Sequence, residues 1–282
     1  MKPNSNNSTS SRKEKVIQPF LKWAGNKKSI IHKIKPLLPA GKRLIEPFCG
    51  SAAVFLNTSY EKNLIADCNA DLINIYQQLQ KDGQKFIDYC EKYFIPENNS
   101  PEIYYQLREK FNNTRNKKVR AALFLYLNRH GYNGLCRYNK SGGFNVPVGR
   151  YKKITLPRSR MLYFIHHAQN AEFIINDFET SIRESRQGDV IYCDPPYVAL
   201  NESNTSFQYE KNGFSMEQQE QLAKLAENAA NRGIPVLISN HLTDFTRETY
   251  KNGELTEFSV RRTISCKGDK RVKAREVLAL FQ

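Results

Sequence analysis

The sequence predicts an α/β fold built on a parallel sheet, and three features carry the prediction. Short apolar runs recur at Leu44-Ile45-Glu46, Asn63-Leu64-Ile65-Ala66, Val190-Ile191-Tyr192-Cys193 and Ile234 to Ser239. Runs of this kind read as buried strands, and here helical patterns separate them, which is the alternation that gives a parallel sheet. The third feature is Asp194-Pro195-Pro196-Tyr197, directly after the third run. Neither proline has an N–H for a ladder, so the strand must stop there. A carboxylate, a free carbonyl and an aromatic face are thereby held at the carboxyl end of a strand, where open α/β sheets bind ligands.

Taken in order, residues 1–18 open with an Asn/Ser/Lys-rich stretch that is expected to be a disordered tail. The first strand ends at Glu46, Gly50 marks the turn after it, and Ala52 to Leu56 is expected to begin a helix. The second strand ends at Asp67. From Asp71 to about Arg129 the pattern is mostly helical, with Tyr- and Phe-rich apolar faces such as Ala121 to Leu127. Gly131 to Tyr151, rich in Gly, Asn, Tyr and Arg, reads as a loop or hairpin. Residues 70–156 are therefore expected to form a helical insertion bearing a basic hairpin. It would interrupt an α/β domain made of residues 19–69 and 157–282. Val198 to Gly213 reads as a mobile loop beside Asp194. Ser215 to Arg232 is a helix with a capping-box start at Ser215 and Gln218, an apolar face of Leu222, Leu225, Ala226 and Ala229, and a stop at Gly233. No internal repeat is present.

Charge is concentrated rather than spread. Of the net +15, the segment from Arg108 to Arg160 carries +13, with fourteen Lys/Arg against the single acid Glu109. A basic segment of this kind predicts a polyanion partner. The six cysteines are scattered without a C-x-x-C pair or zinc-ligand spacing, so free thiols and no metal are expected. No apolar run reaches membrane-span length and no signal-peptide segment opens the chain, which predicts a cytoplasmic protein.

The turn after the first strand, Glu46-Pro47-Phe48-Cys49-Gly50-Ser51-Ala52, lets backbone approach a ligand at Gly50. Asp67 ends the next strand, slightly short of the offset at which an acid meets ribose hydroxyls. The full G-x-G-x-x-G is absent, which disfavours a phosphate-rich ligand. Gly25 to Ser29 echoes the end of a P-loop, but its first glycine and its preceding strand are missing. The Asp194 group, in contrast, suits a planar, weakly basic amine. Its carboxylate and the Pro195 carbonyl can accept two amine hydrogens, while Tyr197 offers a ring to stack on.

Together with Glu46–Phe55, Asp67, Asn128–Asn139 and Asp194–Tyr197, the stretch Pro19-Phe20-Leu21-Lys22-Trp23-Ala24-Gly25-Asn26-Lys27 closely resembles the bacterial Dam-type DNA adenine-N6 methyltransferases. The resemblance runs from Pro19 to Leu280. Its most specific blocks are Phe20–Lys27, Leu127–Asn139, Phe144–Tyr151 and Val236–His241. It implies a Rossmann-like S-adenosylmethionine-dependent methyltransferase sheet with an inserted target-recognition domain, acting on adenine in double-stranded DNA at 5′-GATC-3′. The family pattern implies that Trp23, Lys27, Phe48, Gly50, Asp67 and Asp194 bind S-adenosylmethionine, with Asp67 on the ribose. Asp194, Pro195, Pro196 and Tyr197 form the catalytic tetrapeptide, and the adenine must flip out of the duplex to reach it. Arg137 is implied to read guanine, Leu135 and Pro147 the central A·T pairs, and Lys22 the outer guanine. Tyr132 wedges into the stack with Asn133 beside it, while Arg129, Asn139, Arg150 and Lys152 take phosphates. A monomer is expected.

Two departures from the family pattern bear on the cofactor. Asn26 stands where the family usually has glycine, and asparagine tolerates positive φ better than most residues. Ala52 replaces the second glycine of Phe-x-Gly-x-Gly. His130 stands where tyrosine is frequent and is expected to be a packing residue. Rival readings are a methyltransferase of RNA or protein glutamine and a non-catalytic DNA-binding protein. The basic insert argues against the first, and the intact Asp194 and cofactor residues argue against the second.

Overall fold

A computed structural model describes residues 15–151, 153–198, 214–261 and 273–282. Lys152, Phe207, Arg262, most of the stretches Val198–Gly213 and Lys267–Arg275, and residues 1–14 of the expected tail lie outside these. Ile17, two residues before the expected domain start, already exchanges two hydrogen bonds with the Asn57 amide, at 2.8 and 3.0 Å.

The described strands form one sheet in the order β3-β2-β1-β4-β5-β7-β6. They are β1 (Arg43–Glu46), β2 (Lys62–Asp67), β3 (Ala171–Ile175), β4 (Asp189–Cys193), β5 (Val236–His241), β6 (Glu254–Arg261) and β7 (Lys273–Phe281). The first five run parallel, and β7 lies antiparallel between β5 and β6. The chain moves outward from β1 through β2 to β3, then returns to β4 on the other side of β1. This reversal makes the carboxyl ends of β1 and β4 the switch point of the sheet, a crevice where loops diverge to opposite faces.

The helices begin with α1 (Ile31–Ile34). Between β2 and β3 come α2 (Ala70–Asp82), α3 (Gln84–Glu91), α4 (Pro101–Asn113), α5 (Lys117–His130) and α6 (Arg158–His167). Then follow α7 (Phe178–Arg183), α8 (Met216–Asn231) and α9 (Asp244–Thr249). The expected capping box is present at Ser215 and Gln218, and Gly233 carries φ +75°. One continuous apolar cluster joins Phe20, Phe55 and Ile65 to the buried faces of α2, α5 and α6. A second fills the space between the sheet and α8. Among the described residues no helix is long and apolar enough to cross a membrane.

Three sequence expectations are corrected. Ala52 to Leu56 does not begin an α-helix; a single 3-10 turn at Phe55–Asn57 replaces it, because Gly50 and Ala52 both have positive φ (+46° and +57°) and interrupt any helical run. Asn26 does not use positive φ. It sits at φ −51° and caps the turn Lys27–Ser29, its side chain accepting from the Lys28 N–H. The segment after α5 forms no continuous hairpin ladder. Only two isolated antiparallel bridges close it, Gly131 to Val148 and Tyr138 to Phe144, with Asn133 and Gly134 in left-handed conformations between them.

Candidate active site

Asp194 lies immediately beyond β4, in the switch-point crevice. Its Oδ1 is 2.7 Å from the Lys27 ammonium and accepts from Ser239 Oγ on β5 at 3.0 Å. Burial raises the Asp194 carboxyl above the usual carboxylate range, and Lys27, then Ser239, pull it back. Lys27 is itself buried; it also donates to the Gly25 carbonyl at 2.7 Å and lies 4.5 Å from the centroid of the Tyr197 ring. The carboxylate and ring of the tetrapeptide are thus held together around one ammonium.

Beneath them lies Glu46, the last residue of β1. Its side chain is fully buried and Oε1 has no partner. Burial pushes its carboxyl up to about 8, with a backbone N–H from Phe55 opposing and the nearby Asp194 adding to the rise. Sequence reasoning gave Glu46 a place in a motif but no role. The signal available was its position as an acid ending an apolar strand.

The turn from β1 and the end of β2 form one unit. Asp67 Oδ2 accepts from the Gly50 N–H at 3.1 Å, and Oδ1 accepts from the Asn69 N–H at 2.9 Å. Burial raises the Asp67 carboxyl and these two N–H groups oppose the rise. Trp23 covers Gly50 so closely that a Cβ there would lie 2.8 Å from the indole Nε1. Tyr76 on α2 donates to the Gly50 carbonyl at 2.6 Å. Trp23, Gly50 and Asp67 therefore meet. Phe48 is stacked on Phe178 at 5.4 Å and edge-on to Phe214 at 5.5 Å. An indole, a half-buried carboxylate and an unpartnered buried carboxyl oxygen suit a ligand carrying a ring, a hydroxylated sugar and an ammonium. Among the described residues no group of three His, Cys, Asp or Glu is arranged to hold a metal.

Two of the residues expected at a nucleic-acid interface, Lys22 and Arg129, meet at the end of α5. The Lys22 main chain pairs with the Asn128 amide at 2.9 and 2.6 Å, and its ammonium donates to the Arg129 carbonyl at 3.0 Å. That ammonium also lies 3.7 Å from the centre of the Tyr151 ring. Burial, with Arg129 nearby, lowers it to about 8. Burial and Arg160 likewise lower Arg129, whose Nε is buried without a partner. This is a desolvated cationic cluster, which an incoming anion would stabilise. A Cβ on Gly134 would lie 2.3 Å from Lys22 Cβ, so only glycine lets the turn lie against this lysine.

Of the other expected contact residues Tyr132 is 48% exposed, and Asn133, Arg137, Asn139, Pro147 and Arg150 are also on the surface. Leu135 is half-buried against the core. Arg137 is steered by Asn145, donating to its Oδ1 at 2.8 Å. Asn139 Oδ1 is used within its own turn, accepting from the Ser141 and Gly143 N–H groups. Pro147 is read in the structure through its carbonyl, which accepts from the Tyr132 N–H at 2.9 Å. His130 is a packing residue: it stacks on Tyr126 at 3.9 Å, and burial lowers it to about 4.

Sequence comparison gives an independent reading. Residues 23–264 match the family model described as D12 class N6 adenine-specific DNA methyltransferase. The chain is 46% identical over 268 residues to a DNA adenine methylase of Escherichia coli (strain K12), covering 95% of this chain and 96% of that one. A DNA adenine methylase of Salmonella typhi is 47% identical with the same coverage. A DNA adenine methylase of Vibrio cholerae is 46% identical over 95% of this chain and 97% of its own.

Proposed function

The chain belongs to the D12 class of N6 adenine-specific DNA methyltransferases, and from that premise we propose that it methylates the adenine of 5′-GATC-3′ in duplex DNA at the Asp194 crevice. The observation that carries this reading is the ion pair of Asp194 with Lys27 at the switch point, beside an aromatic ring and a proline carbonyl.

S-adenosylmethionine, when bound, supplies an electrophilic methyl group on a sulfonium. Trp23 and Asp67 would hold its adenosine, Gly50 would admit it closely, and Lys27 and Asp194 would lie at its reactive end. The target amine is a poor nucleophile because its lone pair is delocalised into the purine ring. Asp194 and the Pro195 carbonyl accept its two hydrogens, which turns the nitrogen toward a tetrahedral form and frees that lone pair. Tyr197 stacks on the flipped base, at an unstacking cost of a few kcal/mol. The work left to the protein is alignment and exclusion of water.

Residues 70–156 act as the target-recognition unit. Arg137 addresses guanine in the major groove, Leu135 and Pro147 the thymine methyls, and Lys22 the outer guanine. Tyr132 wedges into the stack next to Asn133. Arg129, Asn139, Arg150 and Lys152 fix the phosphates. The protein works as a cytoplasmic monomer on double-stranded DNA. Plasmid recovered from methylase-deficient cells expressing the chain should resist cleavage by a nuclease that cuts only unmethylated GATC. It should be cut by one that requires the methylated site. Full sensitivity to the first nuclease would overturn the reading.

A further inference from the structure

Behind the tetrapeptide lies a closed set of buried polar side chains that the mechanism above does not use. Gln219 on α8 is 1% exposed, while Asn240 on β5 and Tyr250 after α9 are both at 0%. Buried amides and hydroxyls are costly unless bonded, so their partners define what they do. Asn240 Oδ1 accepts from the Val198 N–H at 3.2 Å and from the His241 N–H at 2.8 Å. Two backbone donors on that atom require it to be the oxygen, so the amide orientation is fixed. Its Nδ2 then donates to Gln219 Oε1 and to the Tyr250 hydroxyl, each at 3.0 Å. The Tyr250 hydroxyl donates in turn to Gln219 Oε1 at 2.9 Å. With its oxygen accepting two bonds, Gln219 has its Nε2 directed at one target, the Pro196 carbonyl, at 2.8 Å.

We infer that Gln219 is a positioning residue for methyl transfer: through Asn240 and Tyr250 it ties the Pro196 carbonyl back, which leaves the Pro195 carbonyl as the one presented to the amine. The inference rests on the proposed role of Asp194 and Pro195. Among the described residues nothing bonds the Pro195 carbonyl, whereas its neighbours on both sides are held. Asp194 is held by Lys27 and Ser239, the Pro196 carbonyl by Gln219, and the Val198 N–H by Asn240. Two adjacent prolines leave little backbone freedom besides the rotation of the peptide planes. Fixing the second carbonyl therefore limits the direction of the first. The device acts on the reaction step and not on binding, because Gln219 lies behind the loop.

The test uses Gln219→Leu and Gln219→Glu in the full-length protein, with single-turnover methyl transfer to a GATC duplex. Gln219→Leu should lower the transfer rate by ten- to a hundredfold with little change in KM for DNA or donor. Gln219→Glu is the discriminating variant. Protonated, its carboxyl reproduces the glutamine, with O–H donating to Pro196 and the second oxygen accepting from Asn240 and Tyr250. Ionised, it sets an anion against the Pro196 carbonyl oxygen. Tyr250 stays neutral throughout because burial raises its hydroxyl. Asp194 and His241 are present in both proteins, so the ratio of variant to wild-type rate removes their contribution. That ratio should be near one in mild acid and fall at least tenfold as pH rises. A flat ratio, or a Gln219→Leu rate within twofold of wild type, overturns the inference. Failure of the wild-type protein itself to methylate would instead count against the proposed function.

Discussion

Replacing Lys27 with methionine removes the ammonium beside Asp194 while keeping an unbranched side chain in the buried slot. Two charges 2.7 Å apart attract by about 6 kcal/mol at an effective dielectric constant of about 20. Water entering an unliganded crevice reduces this. Losing one partner of a buried pair costs about 3–5 kcal/mol, and each pKa unit corresponds to about 1.4 kcal/mol. The Asp194 carboxyl, already raised above its ordinary range by burial, should therefore rise further, since Ser239 alone still holds it down. A protonated carboxyl cannot accept an amine hydrogen on that oxygen, so the acid limb of kcat should move upward with it. The assay is transfer of labelled methyl to a GATC duplex at saturating DNA and donor, between about pH 5.5 and 9.5. Stability gives a second readout. A carboxyl whose native pKa lies above its unfolded value loses native-state stability as pH rises between the two, so that loss should extend to higher pH in Lys27→Met. An acid limb unmoved in a variant that still turns over would refute the assignment of Lys27 as the partner that keeps Asp194 ionised.

Three more outcomes are expected. Glu46 is held at about 8 against an ordinary 4.5, so the ligand-free protein should lose stability as pH rises through that window, by at most about 4–5 kcal/mol. Glu46→Gln should flatten the slope of denaturant midpoint against pH, and parallel slopes for the two proteins would contradict this. Ala52 is fully buried at φ +57°. For Ala52→Gly, relief of about 1–2 kcal/mol of left-handed strain is offset by unfolded-chain entropy of about 0.4–1 and a lost methyl of about 0.8 kcal/mol, so thermal stability should change by less than about 1 kcal/mol. Ala52→Val, β-branched at positive φ, should instead be strongly destabilising; a neutral result would mean the backbone there is not constrained. Arg137→Ala should relax discrimination at its guanine by about 1–3 kcal/mol, measured as kcat/KM on cognate and singly substituted sites, and unchanged ratios would remove Arg137 from base reading.

What the sequence made legible was whatever is encoded within a few neighbouring residues. Val190 to Cys193 and Val236 to Ser239 are continuous apolar runs, and both proved to be strands buried along their length. β3 escaped notice because it lies at the sheet edge with only Phe173 fully buried, and Glu172 breaks its apolar character. β7 begins Lys-Ala-Arg-Glu, so its pairing depends on partners distant in sequence. The Ala52 region misled because helix propensity says nothing of a backbone that Gly50 must bend around Trp23. The same limit applies at the site. Asp194 and its prolines were visible as a tetrapeptide, and Asp67 as an acid ending a strand. Gln219, Asn240 and Tyr250 span thirty-one positions and carry no shared motif, so only the folded chain brings their hydrogen bonds together.

The wedged position of β7 has a consequence for biosynthesis. β5, apolar and buried, receives its outer neighbour from residues 273–281, which are synthesised after β6. Until then its backbone groups form an open edge of the kind that recruits other chains. A nascent chain halted between β6 and β7 therefore exposes a half-sheet whose open edge other chains can pair with, and pairing of β7 closes it.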